Sequence, residues 1–168
     1  MNIAAEPRSR IGIRKMTRKI REIVGCENNL AFPVVKFIEW ILANPEDGID
    51  LEIVEPQEMQ DTYGPTNTGS NKMCIRRDVY EGAVKGDPRD RFTLCHEVSH
   101  YFLHQPHSIS FARGKIPRYR DPEWQANTFA GELMAPYELV KDMSAEEIAV
   151  KCKMSRQAAK IQYNEYHK

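Results

Sequence analysis

The pentapeptide His96-Glu97-Val98-Ser99-His100 brings two imidazoles and a carboxylate together within five residues. It has the form H-E-x-x-H. Asp87-Pro88 upstream supplies an aspartate N-cap and a proline for the first turn of a helix, which should run to about His104, before Gln105-Pro106. Histidines four apart on a helix stand one turn above each other, so two imidazoles can reach one ion. Glu97 is one residue further round, near enough to act on a water at that ion without ligating it. A zinc ion brings the pKa of such a water near neutrality, and a carboxylate can take its proton. The pattern therefore points to metal-assisted hydrolysis. The bland alternative is two histidines that merely share a helix face.

A catalytic zinc takes three protein ligands and keeps one position open. The downstream candidates are His104, His107, Asp121, Glu123, Glu132 and Glu138. His104 lies two turns from His96, about 12 Å along the axis, and reads as a supporting or packing residue. Nothing fixes His107 after Pro106. Glu123 falls in the first turn of a helix opened by Asp121-Pro122 and running to about Met134, with Ala126 and Ala130 small enough for close helix approach. Glu132, half a turn away in azimuth, cannot share a site with it. Glu123 is the expected third ligand. Tyr101, His104, Tyr119 and Tyr137 are all conceivable partners for the oxyanion of a tetrahedral intermediate, and spacing favours none of them.

The remaining elements must hold these helices. Pro7–Val24 reads as a helix stopped by Gly25, with Ile11, Ile20, Ile23 and Val24 roughly on one face; it carries seven of the 24 basic residues, either as a solvated face or as a docking surface. Pro33–Ala43 reads as an apolar helix, with Phe37, Ile38, Trp40, Ile41 and Leu42 supplying core. Ile49, Leu51 and Ile53 alternate with acids as in a strand, and Lys72–Arg77 should be a second strand, at the edge of the sheet. Gly64-Pro65 and Thr66–Asn71 are turn material, and residues 105–120 read as loop. Pro136–Met143 should be a short helix, Ser144 with Glu147 a capping box for another, and Ser155 the cap of the last. The expected fold is α+β: mostly helical, zincin-like, with a small antiparallel or mixed sheet on one side and a C-terminal helical tail. One domain is expected over 1–168, with a basic N-terminal helix in 1–29, the zinc-site core in 30–135 and C-terminal helices in 136–168.

The chain has 168 residues, 24 of them basic and 24 acidic, so its formal net charge is zero. That balance argues against a whole-surface nucleic-acid binder. The mean hydropathy is −0.59, no stretch is long and apolar enough for a membrane span, and Met1–Arg10 lacks the apolar run of a signal peptide, so a cytoplasmic protein is expected. Cys26, Cys74, Cys95 and Cys152 are too scattered for a disulfide scaffold or a thiolate zinc site and read as reduced thiols, Cys95 drawing interest only as the neighbour of His96.

The run Arg91-Phe92-Thr93-Leu94-Cys95-His96-Glu97-Val98-Ser99-His100-Tyr101-Phe102-Leu103-His104, then Glu123-Trp124-Gln125-Ala126-Asn127-Thr128-Phe129-Ala130 and Leu133-Met134-Ala135-Pro136, resembles the ImmA/IrrE metallopeptidases. Their pattern is R-F-T-x-x-H-E-x-x-H-x-x-x-H, then E-x-x-A-N-x-F-A and a short L-x-P segment. The resemblance covers roughly residues 30 to 165. It implies zinc on His96, His100 and Glu123, Glu97 as general base, and a protein substrate, since several members cleave helix-turn-helix repressors. Ser99 stands where the family usually has glycine and Cys95 where alanine is common; both are small.

Two other functions compete with a zinc endopeptidase. One is a zinc-bearing regulator or toxin–antitoxin component that acts by binding. An intact Glu97 argues against it, because a structural metal has no use for a base. The other is a DNA binder: Ile148-Ala149, Met154-Ser155 and Ala159 weakly resemble a helix-turn-helix with Lys153 in place of the turn glycine, and Arg156, Gln157 and Lys160 would be its exposed readers. Packing of these helices against the core is the favoured expectation.

Overall fold

The structure, a computed structural model, describes residues 2–60 and 71–168. The turn expected at Gly64-Pro65 and the residues that follow it, up to Ser70, lies outside them. The architecture is mostly helical α+β. Two helices hold the centre: α5, Pro88–Leu103, and α6, Pro122–Met134. Each opens as the sequence suggests. Asp87 accepts from the amide of Asp90, and Asp121 accepts from those of Glu123 and Trp124. Ala126 and Ala130, both fully buried, let α6 lie close on α5, and Phe129 beside them stacks on Phe102.

Helix α1, Arg10–Ile23, packs on another side of α6. Ser9 caps it, and Gly25, at φ 69°, ends it: the amide of Cys26 reaches the Arg21 carbonyl and that of Gly25 reaches Glu22. This is the paired bonding of a left-handed helix stop, a conformation that glycine adopts without strain. Its inward face is Ile13, Thr17, Ile20 and Arg21; Ile11 and Ile23, read as sharing a face with Ile20, are instead 62% and 72% exposed. Nor is the basic character of α1 only a surface matter. Arg10 and Arg14 reach the buried Glu132, and Arg21 is buried with its guanidinium on the carbonyls of Leu133, Cys26 and Asn29.

The apolar helix expected over 33–43 is a single α turn, α2 (Val34–Lys36), continuing as a π-helix over Phe37–Leu42. The wider winding keeps Phe37, Ile38 and Leu42 in the core and turns Trp40 and Ile41 outward, contrary to expectation.

In place of one sheet there are two pairs of strands. Strand β2, Asp50–Val54, runs parallel to β3, Lys72–Arg76, from Asp50 opposite Lys72 to Val54 opposite Arg76; α3, Pro56–Gln60, lies in the crossover. The other edge of β3 carries no strand among the described residues. The strand stops at Arg76 because a helix the sequence reading missed, α4 (Arg77–Val84), starts there and approaches α5 so closely at Gly82 that a Cβ would strike Asp90. The second pair is antiparallel: β1, Asn2–Ala5, and β4, Ile109–Ala112, with Asn2 opposite Ala112. Thus the segment 105–120 is not all loop; β4 is flanked by 3₁₀ turns at Pro106–Ser108 and Arg118–Arg120.

The C-terminal helices are α7, Tyr137–Val140, shorter than expected, then α8, Ala145–Lys151, opened by the Ser144/Glu147 capping box, and α9, Arg156–Tyr166, capped by Ser155. Lys153 adopts the left-handed φ of 53° in the turn between the last two. Ile148, Cys152, Met154, Ala159 and Gln162 face the core, and Arg156, Gln157 and Lys160 are exposed. Among the described residues no helix is long and apolar enough to cross a membrane.

Candidate active site

His96 and His100 leave α5 on one face, and Glu123 meets them from the first turn of α6. Nε2 of His96 lies 3.1 Å from Nε2 of His100, and Glu123 carboxylate oxygens lie 3.3 Å from His96 Nε2 and 3.7 Å from His100 Nε2. Ligands about 2.05 Å from a tetrahedral zinc are separated by about 3.3 Å. The three observed spacings are those of one face of such a tetrahedron, so the donor set fits zinc in type and in size. Among the described residues this is the only such group of three or more metal-binding side chains.

Each imidazole is held from behind. Nδ1 of His96 is 3.1 Å from Asn127 Oδ1, which can only accept, so that nitrogen donates, and whenever the ring is neutral Nε2 keeps its lone pair. Nδ1 of His100 is 2.8 Å from Nδ1 of His104, whose Nε2 is 3.0 Å from Oε1 of the buried Gln125. Ser99, in the place of the family glycine, is buried and turns its hydroxyl back onto the His96 carbonyl.

The other candidates lie elsewhere. Asp121 is committed as the α6 cap, His107 is exposed in a 3₁₀ turn, and Glu138 is exposed, 3.7 Å from Lys141. Glu132, about 13 Å further along α6, is buried under Arg10, Arg14 and the Tyr166 hydroxyl. Tyr137 belongs to that group too, edge-on to Tyr166 and under the Arg14 guanidinium. Tyr101 packs edge-on against Phe102, and Tyr119 is exposed, with its carbonyl accepting from Gln125. Cys95 is fully buried, which pushes its thiol up to about 12, so it is no nucleophile here. Gln125 and Asn127 are the residues that sequence reasoning did not assign. Asn127 is visible in the family pattern, whereas Gln125 occupies a position that pattern leaves open.

The sequence matches the IrrE N-terminal-like domain, a peptidase domain, over residues 49–162, about two thirds of the chain. The chain belongs to this family. The IrrE-like segment carries both central helices and most of α9, while β1, α1 and the π-helix precede it. Comparison with curated proteins and with solved structures gave no match.

The electrostatics of this IrrE-like site separate its four ionisable groups. Burial pushes the Glu97 carboxyl above the ordinary range, and the Glu123 charge adds to that against the pull of His96. Glu97 accepts no hydrogen bond among the described residues, so its lone pairs are uncommitted. The hydrogen bond from protonated His96, with the charge of the neighbouring imidazoles, holds Glu123 below the ordinary value against a partial loss of solvent. Burial works to lower His96, but its bond to Glu123 and the charges of Glu97 and Glu123 outweigh this and raise it. His100 is pushed down to about 4 by burial and by the charges of His96 and His104. Neutral His100 beside ionised Glu123 is the state a metal requires.

Proposed function

We propose that the protein is a zinc-dependent endopeptidase acting on a specific protein. The observation that carries this reading is the convergence of His96, His100 and Glu123 at tetrahedral spacing beside Glu97, a carboxyl raised above its ordinary value and without a hydrogen bond among the described residues. Bound by these three residues, zinc supplies Lewis acidity, bringing the pKa of a water near neutrality and polarising a carbonyl. Glu97 accepts the proton from the attacking water and returns it to the leaving amine, a task suited to a pKa lifted towards the working pH. Asn127 and His104 hold the two imidazoles in place. The protein substrate is a helix-turn-helix transcriptional repressor, a class suggested by the resemblance to ImmA/IrrE proteins, so casein-like substrates should be cleaved weakly or not at all.

The test compares the zinc-loaded parent with Glu97→Gln by sequencing newly formed protein N-termini in cells that express each. The parent should create discrete cleavages in one or a few proteins. Glu97→Gln should keep its zinc and lose about 10²–10⁴ in rate. Equal cleavage by the variant would reject Glu97 as the base. An intact partner held tightly by the zinc-loaded parent would replace this reading with a regulator that acts by binding.

A further inference from the structure

Behind the metal face runs a chain of hydrogen bonds that ends on the main chain of the N-terminal segment. Gln125, on α6, is completely buried, and its Nε2 lies 2.8 Å from the carbonyl oxygen of Glu6 and 2.8 Å from that of Tyr119. Backbone carbonyls only accept, so both amide hydrogens are spent there. The opposite placing of the amide would set its oxygen against two others in a dry site, which fixes the orientation. The Gln125 oxygen is then left facing His104 Nε2 at 3.0 Å and requires a donor. A neutral imidazole carries one ring proton, so His104 holds its proton on Nε2 and its bare Nδ1 accepts. Its neighbour at 2.8 Å, Nδ1 of His100, must donate. The lone pair of His100 is thereby placed on Nε2, the atom that faces His96 and Glu123.

We propose that Gln125 is a positioning residue that fixes the tautomers of His104 and His100 by reading two backbone carbonyls, so that the N-terminal segment, outside the family match, takes part in setting metal affinity. Its consequence for affinity rests on the zinc reading above; the tautomers belong to the metal-free protein. Both carbonyls are themselves anchored. The Glu6 amide donates to the Ser108 carbonyl, the Arg8 amide to the Tyr119 carbonyl, and the Arg120 guanidinium to the carbonyl of Ala5, all next to the β1–β4 pairing. A displaced N-terminal strand would free Gln125 to turn, and with it the proton on His100. The α5 helix alone sets the spacing of the two histidines but not which nitrogen is free.

The experiment has two arms. In the first, long-range proton–nitrogen NMR of the metal-free parent at pH 8 reads each imidazole directly. His104 should be protonated on Nε2 and His100 on Nδ1; His104 protonated on Nδ1 would overturn the proposal, whatever the metal does. In the second arm, zinc affinity is measured by chelator competition. Gln125→Met and His104→Phe should each bind about 10- to 100-fold more weakly, the usual scale for a support behind a metal ligand. His104→Asn, whose carboxamide oxygen can accept from His100, should recover most of that loss, which a purely space-filling role for His104 would not produce. Parent-like affinity in His104→Phe would overturn the proposal. A parent that binds no zinc, yet shows the assigned tautomers, would instead reject the metallopeptidase reading and leave the hydrogen-bond chain standing. Should the variants fail to fold, the first arm decides alone.

Discussion

Two glutamates on one helix do opposite things. Glu123 stands at the start of α6 with its side chain 66% exposed, facing imidazole nitrogens. Glu132 stands near its end with a completely buried side chain, held by Arg10 at 3.1 Å, Arg14 at 3.0 Å and the Tyr166 hydroxyl at 2.8 Å. Removing a carboxylate from water is costly, and the cost is recovered only when its lone pairs are met by good partners. At Glu132 they are met by the protein itself, which ties α1 and α9 to α6. At Glu123 they are met in part, by His96, and the rest is open to an ion. The chemical role of a carboxylate here follows from what its oxygens already touch.

Removing the buried member should therefore act on stability and spare the metal. Glu132→Ala leaves two guanidiniums facing a hole. Breaking such a pair costs about 3–5 kcal/mol, and the partial exposure of Arg10 and Arg14 places the effect near the lower end. Urea unfolding should show that loss, while the folded variant still takes up one zinc per chain. An unchanged unfolding midpoint would mean that the Glu132 cluster is not a tie.

The open site should respond to pH instead, and more weakly. The folded-state pKa of His100 is about 4, below its ordinary 6.5. The unfolded chain therefore binds the extra proton between these values, and stability falls as the pH is lowered through that window. His96, raised, contributes in the opposite sense, its stabilisation being lost only as pH rises through its folded pKa. The His100 share is isolated by comparing the metal-free parent with His100→Asn. The parent should lose stability relative to the variant between about pH 6.5 and 4. A difference that does not change with pH would contradict the burial effect at His100.

The helices that carry the site were legible because their signals are local. Asp87-Pro88 and Asp121-Pro122 mark the starts, four-residue spacing pairs His96 with His100, and Gly25, Ser144 and Ser155 mark ends and caps that form as read. What was not legible depends on partners far away in the chain. Strand β1 is four residues with two alanines and exists by pairing with β4, more than a hundred positions later. Arg14 is 118 residues from Glu132 and Gln125 is 119 from Glu6, so neither the ion pairs of α1 nor the support behind His104 leaves a pattern along the sequence. The exposure of Trp40 and Ile41 follows from the π winding, which hydrophobic content alone does not announce.

The measurement that bears most directly on the site is zinc binding by the parent and Glu123→Ala, with Glu132→Ala as the internal comparison. Glu123 is mostly exposed, so its removal should cost little folding stability, within about 0.5 kcal/mol. The parent and folded Glu132→Ala should each bind one zinc per chain, and Glu123→Ala should lose tight binding. Full, tight zinc occupancy in Glu123→Ala, or a parent that takes up no zinc, would contradict this zinc site.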